Sequence, residues 1–202
     1  MKSKVAIITF SIFLITSFFL GCKKENDNTN SGAPSPPSPS SSGIIPLKAG
    51  NKWVLRETDY NTGGGIDTTF NLILQVVADT MISNERWFKI IINGDNSNPA
   101  YWTNRSDGFY ELIDTVLPNK LFKYPASLNE SYLSFSDTIK VTSVSSVITV
   151  PKGTFTTYEY HSGDILSSYD WYISPGIGFI KSNNFRSNVL EGKLELIDYI
   201  LL

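Results

Sequence analysis

The sequence predicts an all-β body, an antiparallel meander of about 11–12 strands forming a curved sheet or incomplete barrel, with a two-sheet sandwich as the alternative. Three observations lead there. Helix formers are scarce, with two Met and a single Gln (Gln75) in 202 residues. Strand formers come in short runs broken by turn residues, and aromatic residues make up 13% of the chain. Finally, several runs are apolar on both faces, which suits a sheet curled around its own interior or covered by another layer.

The runs follow in order. Lys52–Tyr60 ends at Asn61-Thr62-Gly63-Gly64-Gly65, and Thr68–Ala78 leads to Arg86–Asn93 and the turn Asn93-Gly94-Asp95-Asn96. In the second run Phe70, Leu72, Leu74 and Val76 share one face while Ile73 and Val77 are apolar on the other; in the third, Phe88, Ile90 and Ile92 oppose Trp87 and Ile91. Ala100–Asn104 and Phe109–Asp114 flank Ser106-Asp107-Gly108, and Leu121–Tyr124 and Ser131–Phe135 follow. Thr138–Val150 and Thr154–His161 are joined by Pro151-Lys152-Gly153. Ile165–Ile173 follows Ser162-Gly163-Asp164, Pro175-Gly176 precedes Gly178–Ser182, and Lys193–Leu201 closes the chain. Pro presets φ in these turns, and Gly or Asn supplies positive φ. Gaps this short suit hairpins, because parallel strands need long crossovers.

Three segments divide the chain: 1–21, 22–43 and 44–202. Lys2 and Lys4 precede an uncharged run from Val5 to Leu20, short for a membrane span of about 20 residues. The run ends at Phe19-Leu20-Gly21-Cys22, which resembles the lipobox of a bacterial lipoprotein signal. That resemblance implies cleavage before Cys22 and acylation (palmitate among the chains) of its thiol, the only one in the sequence. Phe19 and Leu20 depart from the family's usual Leu and small residue, while Gly21 fits it; an uncleaved anchor is the alternative. Lys23-Lys24-Glu25-Asn26-Asp27 is similar to the Lys-then-acidic start of surface-exposed Bacteroidota lipoproteins. Residues up to 43, rich in Ser with Pro34, Pro36, Pro37 and Pro39, bury too little apolar area to fold. They are expected to form a disordered linker spanning roughly 25 Å as a coil and 65 Å if extended. Residues 44–202 are one domain by size.

The body opens with Pro46-Leu47-Lys48-Ala49-Gly50-Asn51-Lys52-Trp53 and contains Val150-Pro151-Lys152-Gly153-Thr154-Phe155 and Tyr172-Ile173-Ser174-Pro175-Gly176-Ile177-Gly178. In these it resembles a broad group of uncharacterised β-rich Bacteroidota envelope lipoproteins. The resemblance implies a fold and a cell-envelope, outer-membrane location, surface exposure included, and no chemistry.

Composition excludes several functions. One Cys and one His rule out disulfide frameworks, multi-cysteine zinc sites and paired imidazoles. A net charge of −2 lacks the basic footprint of a nucleic-acid binder. His161 reads as a strand-end residue, without a Gly-x-Ser-x-Gly elbow elsewhere to partner it. Gly63-Gly64-Gly65 and Gly176-Ile177-Gly178 lack the rest of any phosphate loop, and Asp95-Asn96-Ser97-Asn98-Pro99 reads as a solvated loop outside the EF-hand pattern. No catalytic residue, cofactor or metal is expected.

Two sets of residues suggest contacts. Tyr101 and Trp102, adjacent on a strand, face opposite ways, so they are the candidate ligand-contact aromatics among many that serve a core. Asp-Thr followed by an aliphatic or Thr recurs at Thr68, Thr80, Thr115 and Thr138, matching an acceptor pattern for O-glycosylation of exported Bacteroidota proteins. The expectation is a non-enzymatic, lipid-anchored envelope protein with a binding or structural module. Its partners are the membrane, through the anchor, and a glycan or apolar ligand. A half-barrel carrier of an acyl chain is the first alternative, by analogy of fold; a glycan-acting enzyme with two carboxylates is the remote one.

Overall fold

The computed structural model describes residues 43–113 and 117–202. Twelve strands, β1 (Lys52–Tyr60), β2 (Ile66–Ile82), β3 (Glu85–Ile92), β4 (Asp95–Arg105), β5 (Gly108–Ile113), β6 (Leu117–Lys123), β7 (Ser131–Ser134), β8 (Asp137–Val150), β9 (Gly153–Gly163), β10 (Ser167–Ser174), β11 (Gly178–Arg186) and β12 (Val189–Ile200), form one sheet. Neighbours in sequence pair antiparallel except β6 and β7, and β1 pairs antiparallel with β12. The result is a nearly closed barrel, open only between β6 and β7. Two-residue turns with both residues at positive φ, at Ser83-Asn84, Asn93-Gly94 and Ser187-Asn188, match the right-handed strand twist.

One expected loop belongs to a strand. Residues Asp95–Pro99 lie within β4, where Asp95 pairs with Ile92 and a register shift precedes Ala100. The Asp95 carboxylate accepts hydrogen bonds from Ser97 N at 2.8 Å and Ser97 Oγ at 2.6 Å, so local side-chain bonding replaces part of the ladder.

Side chains stitch the gap between β6 and β7. Asn119 Nδ2 donates to Ser134 Oγ at 3.1 Å, Phe135 N donates to Asn119 Oδ1 at 2.9 Å, and Tyr132 OH donates to Leu121 O at 2.7 Å. Tyr160 OH reaches Lys123 O at 2.7 Å. A short edge strand and satisfied edge carbonyls leave little template for strand addition.

A barrel of eight strands is just wide enough for ordinary side chains to fill. Twelve strands enclose more, and here large rings do the filling. Phe179 on β11 meets Trp102 on β4 at 5.6 Å between centroids, Phe109 on β5 at 6.3 Å and Phe122 on β6 at 6.0 Å. These contacts cross the barrel, so the interior is filled at that level. Trp53, Tyr158, Ile173 and Leu196 are fully buried around the same core.

The chain also seals one end of its own barrel. Ile44 and Ile45 are fully buried, Gly176 N donates to Ile44 O at 3.2 Å, and Asn104 Nδ2 donates to Ile45 O at 2.7 Å. Trp53 Nε1 donates to Ile177 O at 2.6 Å over Gly178, whose φ of +104° and 3.0 Å approach to the indole exclude a side chain. Asn51 joins both termini: its Nδ2 donates to Pro46 O at 2.9 Å, and its Oδ1 accepts from Leu202 N at 2.9 Å. The described residues from Gly43 onward thus share one core.

Charged pairs lie outside, among them Lys193–Glu195 at 2.8 Å and Arg105–Glu85 at 2.7 Å. A filled aromatic interior under a charged outer surface is the reverse of a transmembrane barrel.

Candidate functional site

The end opposite the seal carries the site. Residues directly opposite on paired strands share a face, so register identifies what looks inward. One inward row runs Phe70, Glu57, Leu194, Ser182, Trp171, Tyr160, Val141 across β2, β1, β12, β11, β10, β9 and β8. The next row outward runs Thr68, Asp59, Gly192, Asn184, Tyr169, Ser162, Ile139. Deeper on these strands the lining is apolar, with Leu55, Leu196 and Ile173 buried; in these two rows it becomes carboxylate, amide, hydroxyl and ring.

Solvent reaches this level. Phe70 and Tyr169, although inward-facing, are 39% and 41% exposed. Tyr169 stacks on Trp171 at 5.7 Å and 13°, a two-ring shelf running from the mouth down to the core. Trp171 in turn meets Phe122 edge-on at 6.2 Å.

Glu57 is the electrostatic centre of the mouth. Its Oε2 is buried without a hydrogen-bond partner. Burial pushes its carboxyl up to about 7, and the neighbouring Asp59 charge pushes the same way. Asp59 Oδ2 accepts from Thr68 Oγ1 at 2.9 Å, and its Oδ1 lies 3.4 Å from where a Cβ on Gly192 would sit. No φ restriction holds Gly192, so a side chain there is limited only by its neighbours, Asp59 foremost.

Further round the barrel Glu111 also faces in. It accepts from Trp102 Nε1 at 3.2 Å, and burial raises its carboxyl more than that bond lowers it. It is enclosed, with Asn119 as its register partner on β6, and is not part of the mouth.

The adjacent pair singled out from sequence takes opposite faces, as strand geometry requires. Trp102 is buried in the core, edge-on to Phe109 at 5.4 Å. Tyr101 packs outside against Trp87, Tyr110 and Leu112, where Arg105 lies 4.3 Å from the Tyr110 ring centre and forks onto Glu85 with two 2.7 Å bonds. The aromatic pair that meets solvent from inside is Tyr169 and Trp171. They are i, i+2 neighbours, and that spacing is the sequence signal that could have found them.

Thr68, Thr80 and Thr138 are exposed; Thr68 is engaged with Asp59 in the mouth, while Thr80 and Thr138 stand near strand ends. Cys22 and Thr115 lie outside the described residues. His161 Nδ1 is 2.7 Å from Asp170 Oδ1 on the outer face, with no nucleophile beside it in the described hydrogen bonds. Among the described residues no set of His, Cys, Asp and Glu comes together as a metal site.

No family model and no curated protein matches the sequence. Solved structures are similar. A protein of Bacteroides fragilis described as exported and having a YmcC-like fold has a TM-score of 0.51 at 10% identity, over 78% of this chain and 98% of its own. A Parabacteroides distasonis protein described as a lipoprotein has a TM-score of 0.45 at 11% identity, over 78% and 98%. At such identity the first likeness is one of fold: the twelve-stranded meander is similar to the YmcC-like fold of the Bacteroides fragilis protein.

Proposed function

We propose that this chain is a lipid-anchored protein of the cell envelope, held at the outer membrane through Cys22, whose barrel is a non-enzymatic binding module. One observation carries the binding reading: above a filled core, the unsealed end presents two inward rows of carboxylate, amide and ring side chains to solvent. Such a mouth fixes a polar ligand by a few convergent groups and a ring face. The tether reading rests on the uncharged run before Gly21-Cys22 and the Ser/Pro stretch behind it. The Bacteroides fragilis neighbour, described as exported, is consistent with it.

The filled core favours binding at the mouth over carriage of an acyl chain. Rings touching across the barrel at Phe179 leave no passage beneath the two rows.

Two experiments test the reading. Replacing Cys22 with Ser abolishes acyl labelling and membrane retention; retention without label shows an uncleaved anchor instead. Amide shifts of the labelled domain, titrated with defined saccharides and amphiphiles, concentrate at Asp59, Asn184 and Tyr169. Shifts confined to the outer face around Tyr101 and Arg105 would refute the mouth as the site.

O-glycosylation is proposed for Thr80 and Thr138, whose exposure leaves room for a glycan, ahead of Thr68, whose hydroxyl serves Asp59. Intact mass of the natively exported protein tests this. A mass of polypeptide plus lipid alone would refute it.

A further inference from the structure

The unsealed end has a second property. Nine of the large apolar residues left exposed lie there: inward Phe70 and Tyr169, and Ile66, Leu117, Leu133, Phe135, Ile165, Leu166 and Val189 on or beside its turns. Five of the six hairpin connections at this end contribute one; only the turn at Asn93-Gly94 does not. The turns bearing Leu166 and Val189 are tied together by Ser187 N donating to Leu166 O at 3.1 Å. Folding does not require aliphatic residues at turn tips, where Gly, Asn, Asp and Ser serve better. An exposed apolar set gathered at one end marks a binding surface.

Charge at this end is one-sided. Asp59, Asp67, Asp95, Asp137, Asp164 and Glu191 lie there among the described residues, against Arg186, which pairs with Glu191, and Lys193, which pairs with Glu195 at 2.8 Å. An anionic ligand or membrane surface is disfavoured by that field. A cation is favoured, and the aromatic faces of Tyr169 and Trp171 also attract one.

The two properties meet at one place. Gly192 puts no side chain between its register partners Asp59 and Asn184, one row above Glu57 with its unpartnered oxygen. Val189 opens the same strand three residues earlier, and Ile66 is the register partner of Tyr60, next to Asp59. These polar groups therefore lie directly beneath apolar turn tips.

We propose that the mouth binds a monomeric amphiphile with a positively charged nitrogen head, the head seated over Gly192 against Asp59 and Glu57, the tail lying outward along Ile66, Leu166 and Val189. This deepens the binding-module reading and rests on it. The arrangement is opposite to that of a barrel that swallows an acyl chain: the head points in and the chain stays at the rim.

Calorimetric titration of the chain from Lys23 onward with decyltrimethylammonium, below its micellar concentration, tests this. The expected result is saturable one-to-one binding, with tetramethylammonium and decyl sulfate each at least tenfold weaker. Gly192→Val fills the seat and lowers affinity at least tenfold; Asp59→Asn, which keeps the shape, lowers it several-fold and decides the matter if Gly192→Val misfolds. Ile66→Ser with Val189→Ser weakens decyltrimethylammonium but not tetramethylammonium, and Met81→Ser, an exposed apolar residue at the sealed end, changes neither. Equal binding of decyl sulfate, or unchanged binding by Asp59→Asn, overturns the cationic head. Equal weakening by Met81→Ser overturns the rim. A neutral alkyl glycoside or sugar that binds instead, with sensitivity to Gly192→Val, refutes this inference while keeping the mouth as a binding site; no binding of any probe refutes both.

Discussion

Glu57→Gln is expected to stabilise the domain, and only above acidic pH. The carboxyl rises from its ordinary 4.5 to about 7 because burial beside Phe70 and Leu194 disfavours its charge and Asp59 adds repulsion. Between those two values the folded chain holds a proton that the unfolded chain has released, so stability falls as pH rises through the window. Below about 4.5 the effect is absent, and above about 7 it is complete. At about 1.4 kcal/mol per pH unit the full displacement is worth about 3 kcal/mol. Glu57 is partly exposed, and solvent screening reduces this to about 1–2 kcal/mol. Urea unfolding of the wild type and Glu57→Gln at pH 4 and pH 8 isolates the group, since Glu111 and the paired carboxylates are common to both chains. The expected gain at pH 8 relative to pH 4 is about 1–2 kcal/mol, or about 2–8 °C in Tm for a domain of this size. A difference between the two chains that does not change with pH would refute the placement of Glu57 as a buried, unpartnered acid.

The core, the seal and the outer cluster each make a further test. Phe109→Ala removes a fully buried ring that touches Trp102, Phe122 and Phe179, and is expected to cost about 3–5 kcal/mol in chemical denaturation. Asn51→Ala strips the partners from Pro46 O and Leu202 N, costs about 1–3 kcal/mol, and raises amide exchange at residues 44–50 before the strands respond. Arg105→Lys keeps the charge but loses the fork onto Glu85 and the stacked guanidinium on Tyr110, and is expected to cost about 1–2 kcal/mol by thermal unfolding.

The meander was legible because its punctuation is local. Asn93-Gly94, Pro151-Lys152-Gly153 and Pro175-Gly176 each set a backbone turn that no distant contact needs to enforce. Leu72, Leu74 and Val76 look inward as their alternation implied, with Ile73 and Val77 opposite. The mouth was not legible, because it depends on register across seven strands. Bulges between Asp59 and Tyr60, Tyr172 and Ile173, and Asn184 and Phe185 reset which residues face in, and a one-residue slip moves a side chain to the other face. Glu57, Asn184 and Tyr169 are far apart in sequence and meet only through that accumulated register. Ile44 and Ile45 could be read as the start of the body but not as its plug, since their partners, Asn104 and Gly176, are set by tertiary structure.

The two ends of the barrel are unlike for a reason that bears on use. A wide antiparallel barrel must either fill its interior or leave a channel, and rings meeting at Phe179 fill it here. Once the middle is blocked, a ligand has access from one end at most, and the segment from Gly43 to Asn51 occupies the other. The described chain begins at that sealed end with Gly43, and the Asp59–Asn184–Tyr169 row opens at the other. A mouth open at one end alone meets molecules that diffuse to it in the aqueous phase. Polar groups within the opening and aliphatic turn tips around it suit such a molecule when it carries both kinds of surface and arrives singly, head first.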